Sequence, residues 1–293
     1  MGDLDMNGGD GPVSVTAPTA DEMRDAYLKR LGVSADQGPS LALLQQLQRA
    51  HVQAIPYENL DVLANEDISL DPVNLFRKII ANHRGGYCFE LNVLFGWLLR
   101  EIGFDVEFRM GRVWLRDPET VPPRNHGTHV VLVDGRKVIA DVGFGGRAPR
   151  GPLDLSIIGQ AIDDGDALHE PLRVIEAGEY GVMIQRRIAG IWSNQFSLES
   201  IAAHAADLEV ANHFQSTAST SHFQHHLFVG LFRHDGRDGL FDTRLSRRRG
   251  NGTVITNLSS VGQLAETLDQ VFGIDPKPHR PTLLRIMEAH GCD

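Results

Sequence analysis

The feature of the sequence that most constrains the fold is a change of hydrophobic periodicity near Gly103. Before it, apolar residues recur at helical spacing, and the segments that carry them are bounded by residues that start and stop helices. After it, apolar and polar residues alternate in the manner of strands. The chain therefore combines a helical first hundred residues with a β-rich middle, which indicates an α+β fold.

Four helices are predicted in the first region, each bounded by a capping residue, a glycine or a proline. They start at Thr19, cover about 41–53, open at Asp71-Pro72, and cover about 88–102. Thr19 has capping-box spacing to Glu22, and Gly103 stands just past the end of the fourth helix. Residues 1–18 are rich in Gly, Asp and Pro and are predicted to be a disordered tail.

The middle and last regions are predicted from strand alternation and turn signals. Predicted strands cover 104–115, 129–133, 137–141, 172–175, 180–187, 191–198, 228–233 and 254–256. Asp134-Gly135-Arg136 is a compact hairpin signal. Helices are predicted at 199–208 and after Ser260. The domain boundaries are therefore 19–103, 104–198 and 199–293, with the middle region a barrel or a sandwich and all three packed as one unit.

The net charge of the chain limits the kinds of molecule that we expect it to bind. The chain has 293 residues and a net charge of -10, which disfavours nucleic acid and anionic membranes as partners. The basic run Arg247-Arg248-Arg249 is the local exception, and a solvated loop is the favoured interpretation over attraction of an anion such as phosphate.

Cysteine usage indicates a reducing compartment. There are two cysteines, and Cys292 is the penultimate residue, so a structural disulfide is not expected. The N-terminus lacks the layout of a signal peptide, and the most apolar stretch, near 91–99, is too short to span a bilayer. We expect a cytoplasmic protein.

Cys88 is the candidate nucleophile. It follows a tight Arg84-Gly85-Gly86-Tyr87 turn and stands where the fourth helix begins. A helix N-terminus carries partial positive charge and free N–H groups, which lower a thiol pKa and can hold an oxyanion. The alternative is that Cys88 is a small buried hydrophobe and that the glycines only end the preceding helix.

A base and an orienting carboxylate are predicted at the two ends of one hairpin. His129 begins one strand and Asp141 ends its partner. A closed hairpin would place them side by side, with Nδ1–H donating to the carboxylate and Nε2 facing the thiol. Spacing alone leaves this open, because any of the 13 histidines could be a core or surface residue.

Three ordered motifs resemble the arylamine N-acetyltransferase family. They are Arg84-Gly85-Gly86-Tyr87-Cys88-Phe89-Glu90, Thr128-His129, and Asp141-Val142-Gly143-Phe144-Gly145, preceded by Ile55-Pro56-Tyr57-Glu58-Asn59-Leu60. The resemblance extends from about Asp21 to about Ser200. Beyond it, 212–217 and 221–223 follow the family only in part, and the family's proline between them is missing. The hairpin between His129 and Asp141 is also somewhat shorter than the family's.

The resemblance implies a helical bundle, a β-barrel and an α/β lid, and a ping-pong reaction. On that basis Cys88 takes the acetyl group of acetyl-CoA, the co-substrate, as a thioester. An arylamine, arylhydrazine or arylhydroxylamine then receives it, with His129 as base and Asp141 fixing the imidazole tautomer. No metal is implied, and the enzyme is expected to be a monomer or homodimer.

Further residues follow from the same resemblance. Those that match the acceptor pocket are Tyr57, Val113, Trp114 and Phe144, and those that match the CoA site are Thr128, Gly143, Gly145 and Phe214. Core packing is the alternative for the first set, and hairpin-end geometry is the alternative for the two glycines. Glu58, Asn59, Arg84 and Glu90 are expected to be structural, because buried charges need partners.

Competing functions remain. An amide synthase that closes macrolactams in antibiotic biosynthesis resembles the same family and would use a carrier-bound polyketide as donor. A papain-like protease usually has Asn as its third residue after a long insertion, whereas His129 and Asp141 are 12 positions apart. A binding protein with a degenerate site would not need all three residues. The cluster of His222, His225 and His226 has no cysteine pair, and a solvated segment is favoured over zinc.

Overall fold

The computed structural model describes residues 17–163, 165, 168–250 and 252–291. The predicted tail at 1–18 therefore lies outside the described residues except for its last two positions, and Cys292 lies outside them as well.

The first region is helical, as predicted. Its elements are α1 (Ala20–Leu31), α2 (Leu41–Ala54), β1 (Tyr57–Glu58), α3 (Leu60–Leu63), α4 (Pro72–Leu75) with a π-helical continuation (Phe76–Ala81), and α5 (Cys88–Ile102). Thr19 caps α1 through the predicted capping box with Glu22. The predicted bounds of α5 are confirmed, and Gly103 ends it at φ +100°. Helix α5 is apolar on nearly every side because it is buried at the centre of the largest hydrophobic core.

The middle region is a seven-stranded antiparallel sheet that curls into a nearly closed barrel, which confirms the predicted α+β class. Its strands are β2 (Asp105–Val113), β3 (His126–Val133), β4 (Arg136–Ala140), β5 (Leu153–Asp154), β6 (Leu172–Glu176), β7 (Val182–Ile188) and β8 (Ile191–Leu198). They pair in the order β5-β4-β3-β2-β8-β7-β6. Val130, Ile139, Leu172 and Phe196 belong to the apolar core of the barrel.

The β3–β4 hairpin closes at the predicted place. Asp134 and Gly135 have φ of 50° and 71°, which is the geometry of a tight two-residue hairpin turn. The register pairs His129 with Ala140. Strand β3 begins three residues earlier than predicted, at His126. Because side chains alternate along a strand, His126 and His129 point to opposite faces of the sheet.

The last region adds α6 (Ala205–Thr217), β9 (Phe228–Arg233), β10 (Gly236–Phe241), β11 (Arg244–Arg249), β12 (Gly252–Asn257), α7 (Val261–Phe272) and α8 (Arg280–Ala289). These strands and β1 form a second antiparallel sheet in the order β1-β9-β10-β11-β12. Strand β1 of the first region thus pairs with β9 of the last region. Strand β9 and the helix after Ser260 are confirmed. Strands β10 and β11 and helix α8 were not predicted, and the three domain boundaries stay a prediction.

The helix predicted at 199–208 is only partly confirmed, because α6 starts at Ala205 and continues to Thr217. Residues 199–204 instead run beside β2, where Glu199 N donates to Met110 O at 3.0 Å and Ala203 N donates to Phe108 O at 2.8 Å. The helix starts only after His204, whose N–H donates to Asp207 Oδ2 at 2.8 Å. Main-chain partners on β2 therefore delay the start of α6. In the part of the chain that is described, no helix combines the length and the apolarity that a membrane span needs.

Candidate active site

Cys88 is the first residue of α5 and is only 4% exposed. The Glu90 carboxylate closes the start of the helix by accepting the Tyr87 N–H at 3.0 Å. The two preceding glycines are packed too closely for a side chain, since an added Cβ would lie 2.0 Å from Pro56 O at Gly85 and 2.9 Å from Glu90 at Gly86. The turn that presents Cys88 is thus fixed by contacts on both sides.

A buried ion network holds this turn from below. Arg84 donates to Glu58 at 2.9 Å and to Asp61 at 2.7 Å. Lys78 lies 2.7 Å from both Asp61 and Glu90. Burial raises the pKa of Glu58, but the charges of Arg84 and Lys78 outweigh it and leave that pKa below its ordinary value. Each of these carboxylates has a cationic partner, as buried charges require.

The predicted structural residues therefore have the expected kind of partner. Glu58 pairs with Arg84, and Glu90 pairs with Lys78. Asn59 donates to two main-chain carbonyls, those of Phe223 at 3.0 Å and His226 at 2.9 Å, and so ties the first region to the last.

Asp141 is bound by His126. Nε2 of His126 lies 2.7 Å from Asp141 Oδ2, and the two side chains are 2% and 0% exposed. The other carboxylate oxygen, Oδ1, accepts from Asn92 Nδ2 at 3.0 Å and from Gly143 N at 2.8 Å. Burial raises the pKa of Asp141, yet the charge and hydrogen bond of His126, followed by the Asn92 and Gly143 bonds, hold it below its ordinary value. Asp141 is an ionised carboxylate that orients His126.

The prediction that His129 pairs with Asp141 is wrong. Nε2 of His129 donates instead to the main-chain oxygen of Asn92 at 2.6 Å. Burial lowers the pKa of His129 to about 4, so the ring is neutral at physiological pH. The physical reason is strand alternation: His129 pairs with Ala140 and points to the face that packs on α5, while His126 points to the barrel face.

His126 is also close to the nucleophile in the fold. Cys88 Sγ lies 4.0 Å from the main-chain oxygen of Asn125, the residue directly before His126. Because Nε2 is bound to Asp141, Nδ1 is the nitrogen left for a thiol, the reverse of the predicted tautomer. The structure thus brings Cys88, His126 and Asp141 to one place.

The environment of Cys88 does not favour an isolated thiolate. Burial, with the charge of Asp141 next, raises the pKa of the Cys88 thiol, and the N–H of Phe89 lowers it only in part. The N–H groups at the helix N-terminus do lower this pKa, as predicted, but burial outweighs them, so they do not by themselves produce a thiolate. A thiolate here needs a cation beside it, and a protonated imidazole is the group that can supply one.

Two predicted pocket residues, Phe144 and Tyr57, lie near His126 and near Cys88, respectively. The Phe144 ring lies 5.0 Å from the His126 ring and 4.8 Å from the Phe196 ring, measured between centroids. Tyr57 is half-buried and packs against the apolar cluster that contains Cys88. Their predicted contact with the acceptor stays a prediction.

The other two predicted pocket residues, Val113 and Trp114, lie at the end of β2 and directly after it. Val113 N donates to Asn125 Oδ1 at 3.0 Å, which holds the strand end beside the loop near Cys88. The indole of Trp114 donates to Ser197 Oγ at 2.9 Å. These two residues are half-buried, and their predicted contact with the acceptor stays a prediction.

Thr128 does not fit its predicted contact with CoA. Its side chain is fully buried, and its hydroxyl donates to Ala140 O at 2.8 Å inside the hairpin. Gly143 has a packing reason, because an added Cβ would lie 2.7 Å from Cys88 O and 2.6 Å from Asn92 Nδ2. Gly145 has φ +56°, a left-handed conformation that favours glycine.

Phe214 is exposed on α6 and lines a surface cavity of about 510 Å³. The cavity lies between α6, the end of β2 and the 122–124 loop, and Met110, Arg124 and Ala203 also line it. Its volume is in the range of small-molecule sites. Phe214 is the predicted CoA residue that remains accessible to a ligand.

A metal centre is not found within the described ranges: no three His, Cys, Asp or Glu side chains there are grouped to hold an ion. In the histidine-rich segment, His226 donates to Asp242 at 2.8 Å and His225 bonds the main-chain oxygen of Ser219 at 2.6 Å.

Comparison with known proteins shows the family to which the chain belongs. A family model described as N-acetyltransferase matches residues 40–279. The arylamine N-acetyltransferase / N-hydroxyarylamine O-acetyltransferase of Salmonella typhimurium is 36% identical over 85% of this chain and 88% of its own length. The arylamine N-acetyltransferase of Mycolicibacterium smegmatis is 34% identical over 85% of this chain and 90% of its own. The chain belongs to the arylamine N-acetyltransferase family.

Solved structures of the family share the fold. The Salmonella typhimurium enzyme superposes with a TM-score of 0.84 at 34% identity, covering 91% of this chain and 98% of that one. The Mycobacterium marinum arylamine N-acetyltransferase in complex with CoA superposes with a TM-score of 0.84 at 32% identity, covering 90% and 98%. The chain is therefore an acyltransferase of this family.

Sequence reasoning missed two residues, His126 and Asn92. The signal for His126 was available, because the hairpin from His129 to Asp141 is shorter than the family's, and choosing His126 lengthens it by three residues. Asn92 had no motif of its own. Its position one helical turn after Cys88 was the available sign that its side chain faces the same way.

Proposed function

We propose that the protein transfers the acetyl group of acetyl-CoA to the nitrogen of an arylamine, arylhydrazine or arylhydroxylamine through an acetyl-Cys88 thioester. The observation that carries this proposal is the 2.7 Å His126–Asp141 pair beside the Cys88 helix terminus, in a chain of this family. The CoA bound in the Mycobacterium marinum relative supports CoA as the donor carrier.

In the first half-reaction, His126 takes the thiol proton and Cys88 Sγ attacks the thioester carbonyl carbon. The new S–C bond forms as the C–S bond to CoA breaks, and CoA leaves with the proton returned by His126. The N–H groups at the start of α5 are placed to stabilise the oxyanion. The product is acetyl-Cys88.

In the second half-reaction, the amine nitrogen attacks the acetyl-Cys88 carbonyl. The C–N bond forms, the C–S bond to Cys88 breaks, and the amine proton passes to His126. Cys88 is regained as a thiolate beside the imidazolium. A thioester keeps the acyl group activated for a weakly basic amine.

Asp141 and the pocket residues complete the proposal. Asp141 fixes the tautomer in which Nδ1 faces Cys88. Tyr57, Val113, Trp114 and Phe144 line the acceptor pocket. Phe214 contacts CoA, whereas Thr128 supports the hairpin, and Gly143 and Gly145 fit their turn. We further propose a cytoplasmic enzyme, a monomer or homodimer, that acts on xenobiotic amines.

The test is a covalent intermediate formed with acetyl-CoA alone, without acceptor. Mass spectrometry should find one acetyl group on the peptide that contains Cys88 and none in Cys88→Ala. Label found only on lysines or on Cys292 contradicts the proposed mechanism. An enzyme that ignores free acetyl-CoA but is acylated by a carrier-bound polyketide thioester is instead an amide synthase.

A further inference from the structure

Asn92 occupies the centre of the site without belonging to the reacting groups. It is fully buried and lies four residues, one helical turn, after Cys88 on α5. Residues at this spacing lie on the same face of a helix. Its side chain is therefore presented to the hairpin on the side where Cys88 stands.

Both N–H groups and the oxygen of the Asn92 amide are hydrogen-bonded. Nδ2 donates to Gly127 O at 2.7 Å and to Asp141 Oδ1 at 3.0 Å. Oδ1 accepts from Val142 N at 3.0 Å. Two donors and an acceptor are needed at once, and a primary amide supplies them.

The partners of Asn92 adjoin the reacting residues. Gly127 directly follows His126, and Val142 directly follows Asp141, so three bonds from one side chain join α5 to both strands of the hairpin. The main-chain oxygen of Asn92 is held in turn by His129 Nε2 at 2.6 Å. His129 thus has a defined role, which is to anchor the helix at Asn92.

We propose that Asn92 is a positioning residue, whose amide keeps Asp141 ionised and oriented toward His126 while it fixes the Cys88 helix against the hairpin. A hydrogen bond donated to a carboxylate favours its charged form. Loss of that donor weakens the support of Asp141 for the His126 imidazolium, and through it the Cys88 thiolate. The role of Cys88 and His126 in this inference rests on the proposed function.

The test measures the Cys88 thiolate directly, without turnover. The rate of alkylation by iodoacetamide is followed against pH in the full chain, in a Cys292→Ser background. Asn92→Ala should move the acidic limb of the profile upward by about 1 pH unit or more, the scale of one charged hydrogen bond.

Gln48→Ala is the matched control. Gln48 is also a fully buried amide, but it donates to the main-chain oxygens of Asp141 at 3.2 Å and Pro149 at 2.9 Å, not to the carboxylate. Its loss should lower the thermal midpoint and leave the alkylation limb at the wild-type pH. An equal shift in both variants, or no shift in Asn92→Ala, overturns the inference.

Asn92→Asp keeps the shape and serves if Asn92→Ala does not fold. It places acceptors against Gly127 O and Asp141 Oδ1, and only its protonated form can donate. Its alkylation rate relative to wild type should therefore recover as pH falls, and a ratio independent of pH overturns the inference. If the variants show these shifts in the alkylation profile but the wild-type protein is not acetylated by acetyl-CoA, that result would count against the proposed function alone.

Discussion

The choice between two buried histidines three residues apart gives the sharpest test of the site. His126 and His129 are both on β3 and each is 1% exposed, so the same substitution at each position is a matched comparison. His126→Leu removes the partner of Asp141, and His129→Leu removes a donor to a main-chain oxygen. The first should abolish acyl transfer and the second should not.

The size of the His126 effect follows from the Cys88 environment. An unperturbed thiol with a pKa of about 8.5 is only about 3% thiolate at pH 7, and without an imidazolium beside it burial reduces this further. That costs at least about 30-fold, and loss of proton transfer costs a further 10²–10⁴-fold, roughly. We expect kcat/KM to fall by about 3 × 10³- to 3 × 10⁵-fold, or about 5–7 kcal/mol of barrier.

The His129 effect should be on stability. The pKa of His129, lowered by burial to about 4, leaves it neutral where the enzyme works. Losing its bond to Asn92 should cost about 1–3 kcal/mol of unfolding free energy. The activity should fall about tenfold or less, a barrier change of about 1 kcal/mol.

The assay is steady-state acetylation of an arylamine by acetyl-CoA, with urea unfolding of each variant to establish that it is folded. The reasoning is refuted if folded His129→Leu loses as much activity as His126→Leu. It is refuted equally if His126→Leu keeps activity within about tenfold of wild type, because no barrier of about 5 kcal/mol would then depend on it.

Three further predictions concern stability. Burial lowers the pKa of His51 to about 3 and the pKa of His129 to about 4, so below about pH 6.5 the unfolded chain binds more protons than the folded chain. The free energy of unfolding should therefore drop as the pH falls from about 6.5 toward these two pKa values, by up to about 1.4 kcal/mol per pH unit for each histidine. His51→Phe should remove one of these slopes in urea titrations, and an unchanged slope would be inconsistent with a neutral buried ring. Gly96→Ala places Cβ 2.2 Å from His129 Cε1 and should cost about 1–3 kcal/mol by calorimetry, whereas a neutral result would mean that the ring can move away. Arg84→Ala leaves Glu58, which is 0% exposed, without its cationic partner and should lower the free energy of unfolding by about 3–5 kcal/mol, measured by chemical unfolding. Arg84→Lys should have an intermediate effect, and an equal loss of stability in both variants would point to the guanidinium geometry and not the charge.

Much of the fold followed from local patterns. The bounds of α5 were predictable because an apolar run between a capping turn and Gly103 is specified by its own residues. The β3–β4 turn was predictable because Asp134 and Gly135 accept positive φ. The same local signals placed Cys88 at a helix N-terminus.

Distant main-chain partners decided other elements. Residues 199–204 were predicted to be helical, but Glu199 and Ala203 donate their N–H groups to β2, which lies about 90 positions away along the chain. Strands β10 and β11 depend on pairing with β9 in the same way. Such non-local bonds leave no mark in a short window of sequence.

The sequence alone was thus enough to single out Cys88 and Asp141, since each stands at or next to the end of an element whose bounds are set by nearby residues. The identity of the histidine was decided by the tertiary structure. His126 and His129 are equivalent in composition and near neighbours, but the register of β3 on β4 sends one to the carboxylate and the other to the helix. The proposed role of Asn92 depends on the tertiary structure as well, because its bonds to Gly127, Asp141 and Val142 form only once α5 has packed on the hairpin.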